Sequence, residues 1–354
     1  MRILLFILSS LVFFHGAAWA GYGAPLWLPE AETAADPDVI EAEGVYYLYP
    51  TSTYVDVECW TSTDLFSWTY AGVVWPRKPA GSWNDNNVWA PEVHTDGNLY
   101  FLYYAANNFI GVAQAETPAG PFEDVFDHPF VGAGFNGVEG HAIDAHVFRD
   151  DDGRCYFYYA GYEPFSVIRV ARMSSMTALE EEHHTVVRPG FWNWEMFVTE
   201  GPWMVKNQGV YYLMYSGTGA NLPYYSVGYA TAADPQGPFA EYGGNPILRY
   251  DFAAGFYGPG HNSAVTGPDG RLKIVYHTKI DRAIGFDREI RINDLCFNTS
   301  GEMYVGYDDC IAFDDDADDE QADDDGAVDD EAQDDDGPHS SGPADRDEAE
   351  GCGC

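Results

Sequence analysis

The chain has 354 residues, 46% of them hydrophobic and 16% aromatic, and its 17 basic against 57 acidic side chains leave a net charge of −40. Residues 314–351 alone hold 19 acids against one arginine, so −18 belongs to that segment and −22 to the rest. Such an acidic chain repels polyanions, which argues against nucleic acid and anionic lipid as ligands and leaves neutral polymers. The first expected element is a secretory signal over 1–20: Met1 and Arg2, an apolar run over 3–14, and Ala-Trp-Ala at 18–20 as the cleavage pattern. The run is short for a membrane span and no other segment is long enough, so the mature chain is expected to begin at Gly21 and to be exported: secreted, periplasmic or at the cell surface.

From residue 36 onward one pattern recurs five times. An acidic or histidine-bearing stretch leads into a glycine turn and then a Tyr-rich strand, with the turn glycines at 44, 97, 153, 209 and 270. Intervals of 53 to 61 residues fit the blades of a propeller. In a propeller the first strand of each blade lines the central axis, so positions that recur must converge in space. Seven to nine residues before each glycine stand Asp36, Ala90, Asp144, Glu200 and His261. Three carboxylates and an imidazole are thereby expected around one axial pocket.

Between these inner strands run alternating strands that end in aromatic-bearing turns, at 59–68, 111–122 and 228–239. They read as the third and fourth strands of blades one, two and four. The match in blade three is weaker, Val167 to Ala171 followed by 174–180, and its turn is open to becoming a short helix. The expected class is all-β: a five-bladed β-propeller over 21–313, with most of the 25 tyrosines in its core. Beyond Phe313 the Asp clusters spaced by Ala, Gly and Gln cannot bury enough apolar surface to fold, so 314–354 is expected to be a disordered tail ending in Gly-Cys-Gly-Cys. Of the six cysteines, Cys59 and Cys155 suit strand interiors, and Cys296 and Cys310 are placed to bridge the closure of the ring. No zinc spacing occurs in the folded part.

Hydrolysis of a glycosidic bond needs one carboxylic acid to protonate the departing oxygen and one carboxylate to activate water or attack carbon. Asp36, Asp144 and Glu200 supply both, and their mutual repulsion raises at least one pKa so that an acid and a base coexist. Asp38 competes with Asp36 for the same blade, while Glu92 and Glu139 compete with Glu200.

The stretches Ala-Asp-Pro-Asp-Val at 35–39, Trp-Ala-Pro-Glu-Val at 89–93, Ala-Ile-Asp-Ala-His at 142–146, Thr-Glu-Gly-Pro at 199–202 and Gly-Pro-Gly-His-Asn at 258–262 resemble, in order and spacing, the blade signatures of glycoside hydrolase family 43. The resemblance covers roughly residues 30 to 310. It implies an inverting mechanism with Asp36 as general base, Glu200 as general acid and Asp144 as the group that orients the acid and raises its pKa. It also implies a substrate contact at Arg288 and allows His261 to help hold a structural calcium, with no cofactor required; Trp89, just ahead of the second entry, would offer a flat apolar face to a sugar ring, and Asn262 is a further candidate substrate contact. Expected substrates are α-L-arabinosyl or β-D-xylosyl linkages in arabinan, xylan or their oligosaccharides. A carbohydrate-binding propeller without catalysis is the rival from another class. A fructan-type hydrolase is a weaker one, because the first blade reads Ala-Asp-Pro-Asp. Exo or endo action rests with the loops at 54–60, 107–111, 132–141 and 217–225, and oligomeric state is not readable.

Overall fold

The computed structural model describes residues 22–306 and 310; the expected signal over 1–20 and the tail over 314–354 lie outside the described residues. All five turn glycines are left-handed, with φ between 63° and 84°. No atom lies within 4 Å of where a Cβ would stand on any of them, so backbone conformation rather than crowding calls for glycine there.

Each turn joins the first two strands of a four-stranded antiparallel sheet. Blade one holds β1 (Ala35–Ala42), β2 (Val45–Thr51), β3 (Val57–Ser62) and β4 (Thr69–Trp75). Blade two holds β5 (Trp89–Asp96), β6 (Leu99–Ala106), β7 (Phe109–Ala115) and β8 (Glu123–Asp124). Blade three holds β9 (Ala142–Arg149), β10 (Cys155–Tyr162), β11 (Ser166–Ser175) and β12 (Ala178–Val187). Blade four holds β13 (Thr199–Asn207), β14 (Val210–Gly217), β15 (Ser226–Ala232) and β16 (Ala240–Glu241). Blade five holds β17 (Tyr257–Thr266), β18 (Leu272–Lys279), β19 (Arg288–Phe297) and β20 (Met303–Gly306). The protein is an all-β five-bladed propeller, and no helix occurs among the described residues. The helix that blade three left open is absent. Its third and fourth strands are ten residues each, meet at Met176 and Thr177, and pair antiparallel along their length with three register shifts.

The second strands explain why the tyrosines are buried. Each blade is sandwiched between two others, so both faces of β2, β6, β10, β14 and β18 must be apolar, and alternation sends successive side chains into different cores. Along β6, Phe101 and Tyr103 enter the core shared with blade three, while Leu102, Tyr104 and Ala106 enter the one shared with blade one. Along β10, Tyr156 and Tyr158 face blade four and Phe157 and Tyr159 face blade two. Each such ring, removed from water, stabilises by about 1.5–3 kcal/mol. The hydroxyls find carbonyls on the outer turn of the next blade: Tyr49 on Pro118 at 2.6 Å, Tyr103 on Met176 at 2.6 Å, Tyr158 on Pro235, and Tyr212 on Gly301 at 2.6 Å. Apolar area binds adjacent blades, and the hydroxyl sets their relative height.

Among the described residues every sheet is built from one contiguous stretch of chain, and no strand from one end completes a blade at the other. The ring closes through side chains and the segment that precedes β1. Leu26 N–H donates to Ile290 O at 2.8 Å, Ala34 N–H to Arg288 O at 3.1 Å, and Tyr46 Oη to Thr266 O at 3.0 Å. Cys296 and Cys310 form a disulfide with Cα atoms 5.4 Å apart, but it ties β19 to the residues after β20. It therefore fastens blade five internally and does not bridge the closure, because both cysteines belong to the same blade's run of chain. Cys59 and Cys155 are free and buried, as strand-filling residues should be.

Candidate active site

Each inner strand carries a bulge near its start, and register there decides which residues face the axis. Ala35 pairs with Thr51, Trp89 with Ala105, Ile143 with Ala160, Glu200 with Ser216 and Gly260 with His277. The residue that follows each is left-handed: Asp36 (φ 47°), Ala90 (43°), Asp144 (56°), Gly201 (58°) and His261 (47°). Glu200 is therefore not the equivalent of Asp36 and Asp144, as equal counting from the turn glycines implied. It stands one position earlier, level with Trp89 and Ile143, and Gly201 takes the left-handed place. A spacing tolerance of seven to nine residues conceals a shift of one.

The amides of this left-handed ring are held by the preceding blade. Ala90 N–H donates to Thr51 Oγ1 at 2.8 Å, Gly201 N–H to Asp144 Oδ2 at 3.0 Å, His261 N–H to Ser216 Oγ at 2.8 Å and Asp36 N–H to His277 Nδ1 at 3.1 Å. Two residues further along lies a second ring of clasps. Val93 N–H donates to Asp38 Oδ2 at 2.8 Å and Val147 N–H to Glu92 Oε1 at 2.7 Å. Met204 N–H donates to His146 Nε2 at 2.9 Å, and His146 Nδ1 in turn lies 2.9 Å from Glu92 Oε2. Asp38 and Glu92, two of the competitors for catalytic roles, are buried in this structural ring, where desolvation pushes both pKa values well up. Glu139 is exposed on the loop after β8 and does not line the cavity.

Above the two rings opens a cavity of about 450 Å³. Its walls carry Asp36, Trp89, Asp144, Glu200, His261 and Arg288, together with Tyr54, Asn87, Asn108, Ile143, Tyr162, Ala220 and Phe286. Six of the seven expected site residues meet there. Asn262 does not: it is buried, with its amide nitrogen 3.4 Å from Met214 Sδ. The left-handed turn at His261 sends the imidazole to the axis and the next side chain between blades four and five.

Asp36 is surrounded by nitrogen. Arg288 Nη1 donates to its Oδ1 at 2.9 Å, His277 Nδ1 lies 3.2 Å away and His261 Nδ1 3.3 Å away. Burial opposes the charge, but Arg288, with His261 and His277 behind it, outweighs that penalty and holds the carboxyl well below its usual range. His277, fully buried beside Arg288, is pushed down to about 4 and stays neutral at ordinary pH. On the other wall the sign reverses. Asp144 is raised to about 7 by desolvation and by the charge of Asp36. Glu200 is raised to about 7 by desolvation and by Asp144, against the pull of the Tyr225 hydroxyl, which donates to its Oε1 at 2.8 Å. One wall is ionised and the other holds a proton near neutrality.

Two members of this arrangement escaped sequence reasoning. His277 stands seven residues after its turn glycine, as Thr51 and Ser216 do after theirs, so a polar residue at that interval was a usable signal. Tyr225 comes from the loop before β15 and had none. Its ring packs 5.6 Å from His277 at 9° and fills the space beside Gly260, where a Cβ would sit 2.0 Å from the tyrosine ring. Among the described residues no group of three or more His, Cys, Asp or Glu side chains is arranged to hold a metal ion, and the His261 imidazole is directed at Asp36.

Comparison with known proteins agrees with this geometry. A family profile described as glycosyl hydrolases family 43 matches residues 31–303. The chain is 34% identical over 290 residues to a protein named β-D-galactofuranosidase xynD from Aspergillus niger, covering 76% of this chain and 81% of that one. It is 28% identical over 285 residues to an extracellular exo-α-(1→5)-L-arabinofuranosidase from Streptomyces chartreusis, covering 72% and 83%. A solved thermostable family-43 glycoside hydrolase superposes with a TM-score of 0.73 at 32% identity, covering 82% of this chain and 98% of that one.

Proposed function

The chain belongs to glycosyl hydrolases family 43 and is a glycosidase; beyond that, we propose that it hydrolyses α-L-arabinosyl or β-D-xylosyl bonds in one inverting step, with Asp36 as base and Glu200 as acid. The observation that carries this reading is the opposition of the two walls. Asp36 is kept ionised by Arg288 at 2.9 Å, while the Asp144 and Glu200 pair retains a proton near pH 7.

In the proposed step a water oxygen bonds to the anomeric carbon as the bond from that carbon to the bridging oxygen breaks. The water's proton passes to Asp36, and the Glu200 carboxyl gives its proton to the departing oxygen. Asp144 touches neither. It is a positioning residue, oriented by the Gly201 amide, whose charge keeps Glu200 protonated. The water-activating and proton-donating groups are both carboxyls, so the proposed step requires no cofactor. Trp89 offers a flat face to the sugar ring.

The galactofuranosidase relative adds a second substrate class to the same chemistry, a β-D-galactofuranosyl bond. Export is proposed from the first twenty residues and from the extracellular relative.

The test is a panel of arabinofuranosides, xylosides and galactofuranosides, with proton NMR of the first-formed anomer. Inverted product from the wild type, and loss of at least about a thousandfold in kcat for Asp36→Asn and Glu200→Gln, are expected. Retained configuration, or either variant at full rate, overturns the assignment. Sugar binding by calorimetry with no product over long incubation favours a binding propeller instead.

A further inference from the structure

Six residues before Trp89 stands Trp83, six before Glu200 stands Trp194, and the two segments are built alike. Each indole covers a third-strand glycine that pairs with a second-strand tyrosine: Gly111 with Tyr104 in blade two, Gly228 with Tyr215 in blade four. A Cβ on Gly111 would sit 2.9 Å from Trp83 and one on Gly228 2.5 Å from Trp194, so the glycines make room for the rings. The indoles stack on those tyrosines at 16° and 28°. The residue after each tryptophan meets the tyrosine hydroxyl: Asn84 Nδ2 donates to Tyr104 Oη at 2.7 Å, and Tyr215 Oη donates to Glu195 Oε1 at 2.7 Å. A left-handed residue after the second strand then bonds the tryptophan carbonyl, Asn107 through Nδ2 at 2.9 Å and Thr218 through Oγ1 at 2.6 Å. One latch is used twice, each time just ahead of a side chain on the cavity wall.

In blade four the latch holds a strained turn. Val198 N–H donates to Glu195 O at 3.0 Å, and the two residues between, Met196 and Phe197, are both left-handed, at φ 44° and 75°. A turn of that kind ordinarily takes Gly, Asn or Asp at those places. Thr218 is left-handed too, at 74°, although β-branched. Such conformations persist only where their surroundings over-determine them. Burial of the loop does not do this: Phe191, Trp192 and Met196 are 50%, 96% and 51% exposed. Phe197 lines a second cavity of about 430 Å³, with Phe165, Phe286 and Glu200 also in its walls. Glu195 supplies the hold. It is fully buried, and its carboxyl accepts from Tyr215, from Asn193 Nδ2 at 2.9 Å and from the Gly190 amide. Its backbone carbonyl accepts from the amides of Val198 and, at 2.7 Å, Thr218.

We infer that Glu195 is the positioning residue for the acid: by holding the turn over 195–198 it fixes where Glu200 enters the cavity. The inference rests on the reading of Glu200 as acid. Only Thr199 separates the turn from Glu200, so a turn that relaxes without its anchor carries the start of β13 with it. A proton donor must lie within about 2.6–3.2 Å of the atom it serves, and a misplacement of about 1 Å costs on the order of a hundredfold. The role is mechanical and does not call for a charge, because an amide, Asn84, makes the matching contact in blade two. The competing anchor is the pair of hydrogen bonds that Thr199 exchanges with Ser166 of blade three, at 2.8 and 3.0 Å.

The experiment measures Glu195→Ala, Glu195→Gln and Glu200→Gln on two substrates of whichever sugar the wild type hydrolyses. One is an oligosaccharide, whose departing oxygen needs a proton; the other is the glycosyl fluoride, whose fluoride leaves without one. Glu195→Ala is expected to lose about a hundredfold in kcat on the oligosaccharide, with KM and the fluoride rate changed by less than about threefold. Glu195→Gln is expected to recover most of that loss, since its amide oxygen accepts from Asn193 and Gly190 and its nitrogen donates to the Tyr215 hydroxyl. An unchanged oligosaccharide rate in Glu195→Ala overturns the inference and leaves the Thr199 and Ser166 pair as the anchor. An equal fall on both substrates overturns it as well, because the cavity or the fold is then what was lost. So does a Glu195→Gln variant as impaired as Glu195→Ala, because charge and not hold is then at work. Failure of the acid reading shows separately, as a Glu200→Gln variant that falls equally on both substrates. If thermal melting shows Glu195→Ala to be unfolded, Tyr215→Phe removes one donor to the same carboxyl and carries the comparison, with an expected selective fall of about tenfold.

Discussion

Replacing Arg288 by glutamine tests the electrostatic division of the cavity most directly. The guanidinium Nη1 lies 2.9 Å from Asp36 Oδ1, and both groups are buried. Unit charges at that distance, in an effective dielectric of about 20, attract by about 6 kcal/mol, an upper limit because the fixed histidines remain. Removal of a neighbouring cation of this kind moves a carboxylate by about 1–3 pKa units. A base works only when ionised, so a depressed pKa extends activity toward low pH and its loss withdraws that extension. In the wild type the acid limb of kcat/KM against pH lies below 3.8, the ordinary value for Asp, and the alkaline limb near 7 follows the proton of the Asp144 and Glu200 pair. In Arg288→Gln the acid limb moves up by about 1–3 units while the alkaline limb shifts far less. Loss of a substrate contact by Arg288 lowers the plateau but leaves the breaking point in place, so the two effects separate in one profile. Because a single buried partner is removed, stability falls by about 3–5 kcal/mol, and the assay is run well below the melting temperature. An acid limb that stays put in a folded variant refutes the reasoning.

Tyr225→Phe removes the hydroxyl that donates to Glu200 and stabilises its charged form, so the alkaline limb is expected about 0.5–1 unit higher, read from the same pH profiles; a downward shift contradicts the assignment. Glu200→Gln abolishes activity yet raises stability at pH 8. The carboxyl's folded pKa of about 7 exceeds its ordinary 4.5, so the fold loses stability as pH rises from about 4.5 to about 7, and the amide escapes that loss. A gain of about 1–3 kcal/mol at pH 8, absent at pH 4, is expected from urea unfolding. Glu92→Ala leaves the Val147 amide and His146 without their acceptor and is expected to cost about 2–4 kcal/mol of stability, measured by denaturant midpoint, with no change in the pH limbs of activity.

Much of the site was legible because a repeat converts sequence distance into angular position. Turn glycines and Tyr-rich strands announced five blades, and an acidic residue before three of them announced an axial pocket; Asp36, Asp144, Glu200, His261, Trp89 and Arg288 all line it. Asn262 was misplaced because alternation is interrupted at the left-handed His261, and a bulge of one residue reverses the side a residue faces. Glu200 was assigned to the right pocket for a partly wrong reason, since its true level is that of Trp89 and Ile143.

What local pattern and composition could decide was whatever depends on neighbours in the chain: strand period, turn conformation and the number of blades. Selection among the competing acids could not be read that way. Asp36 and Asp38 are two residues apart in one strand, yet one meets Arg288 from blade five and the other caps the Val93 amide of blade two. The same holds for Tyr225, brought to Glu200 from the loop before β15, and for the aromatic cavity beyond it, assembled from the β10–β11 turn, the segments that flank β13 and β14, and Phe286 before β19. Protonation state follows from charges and solvent exclusion at a few ångströms, and those distances are set by how the blades pack around the axis, after chain order has ceased to matter.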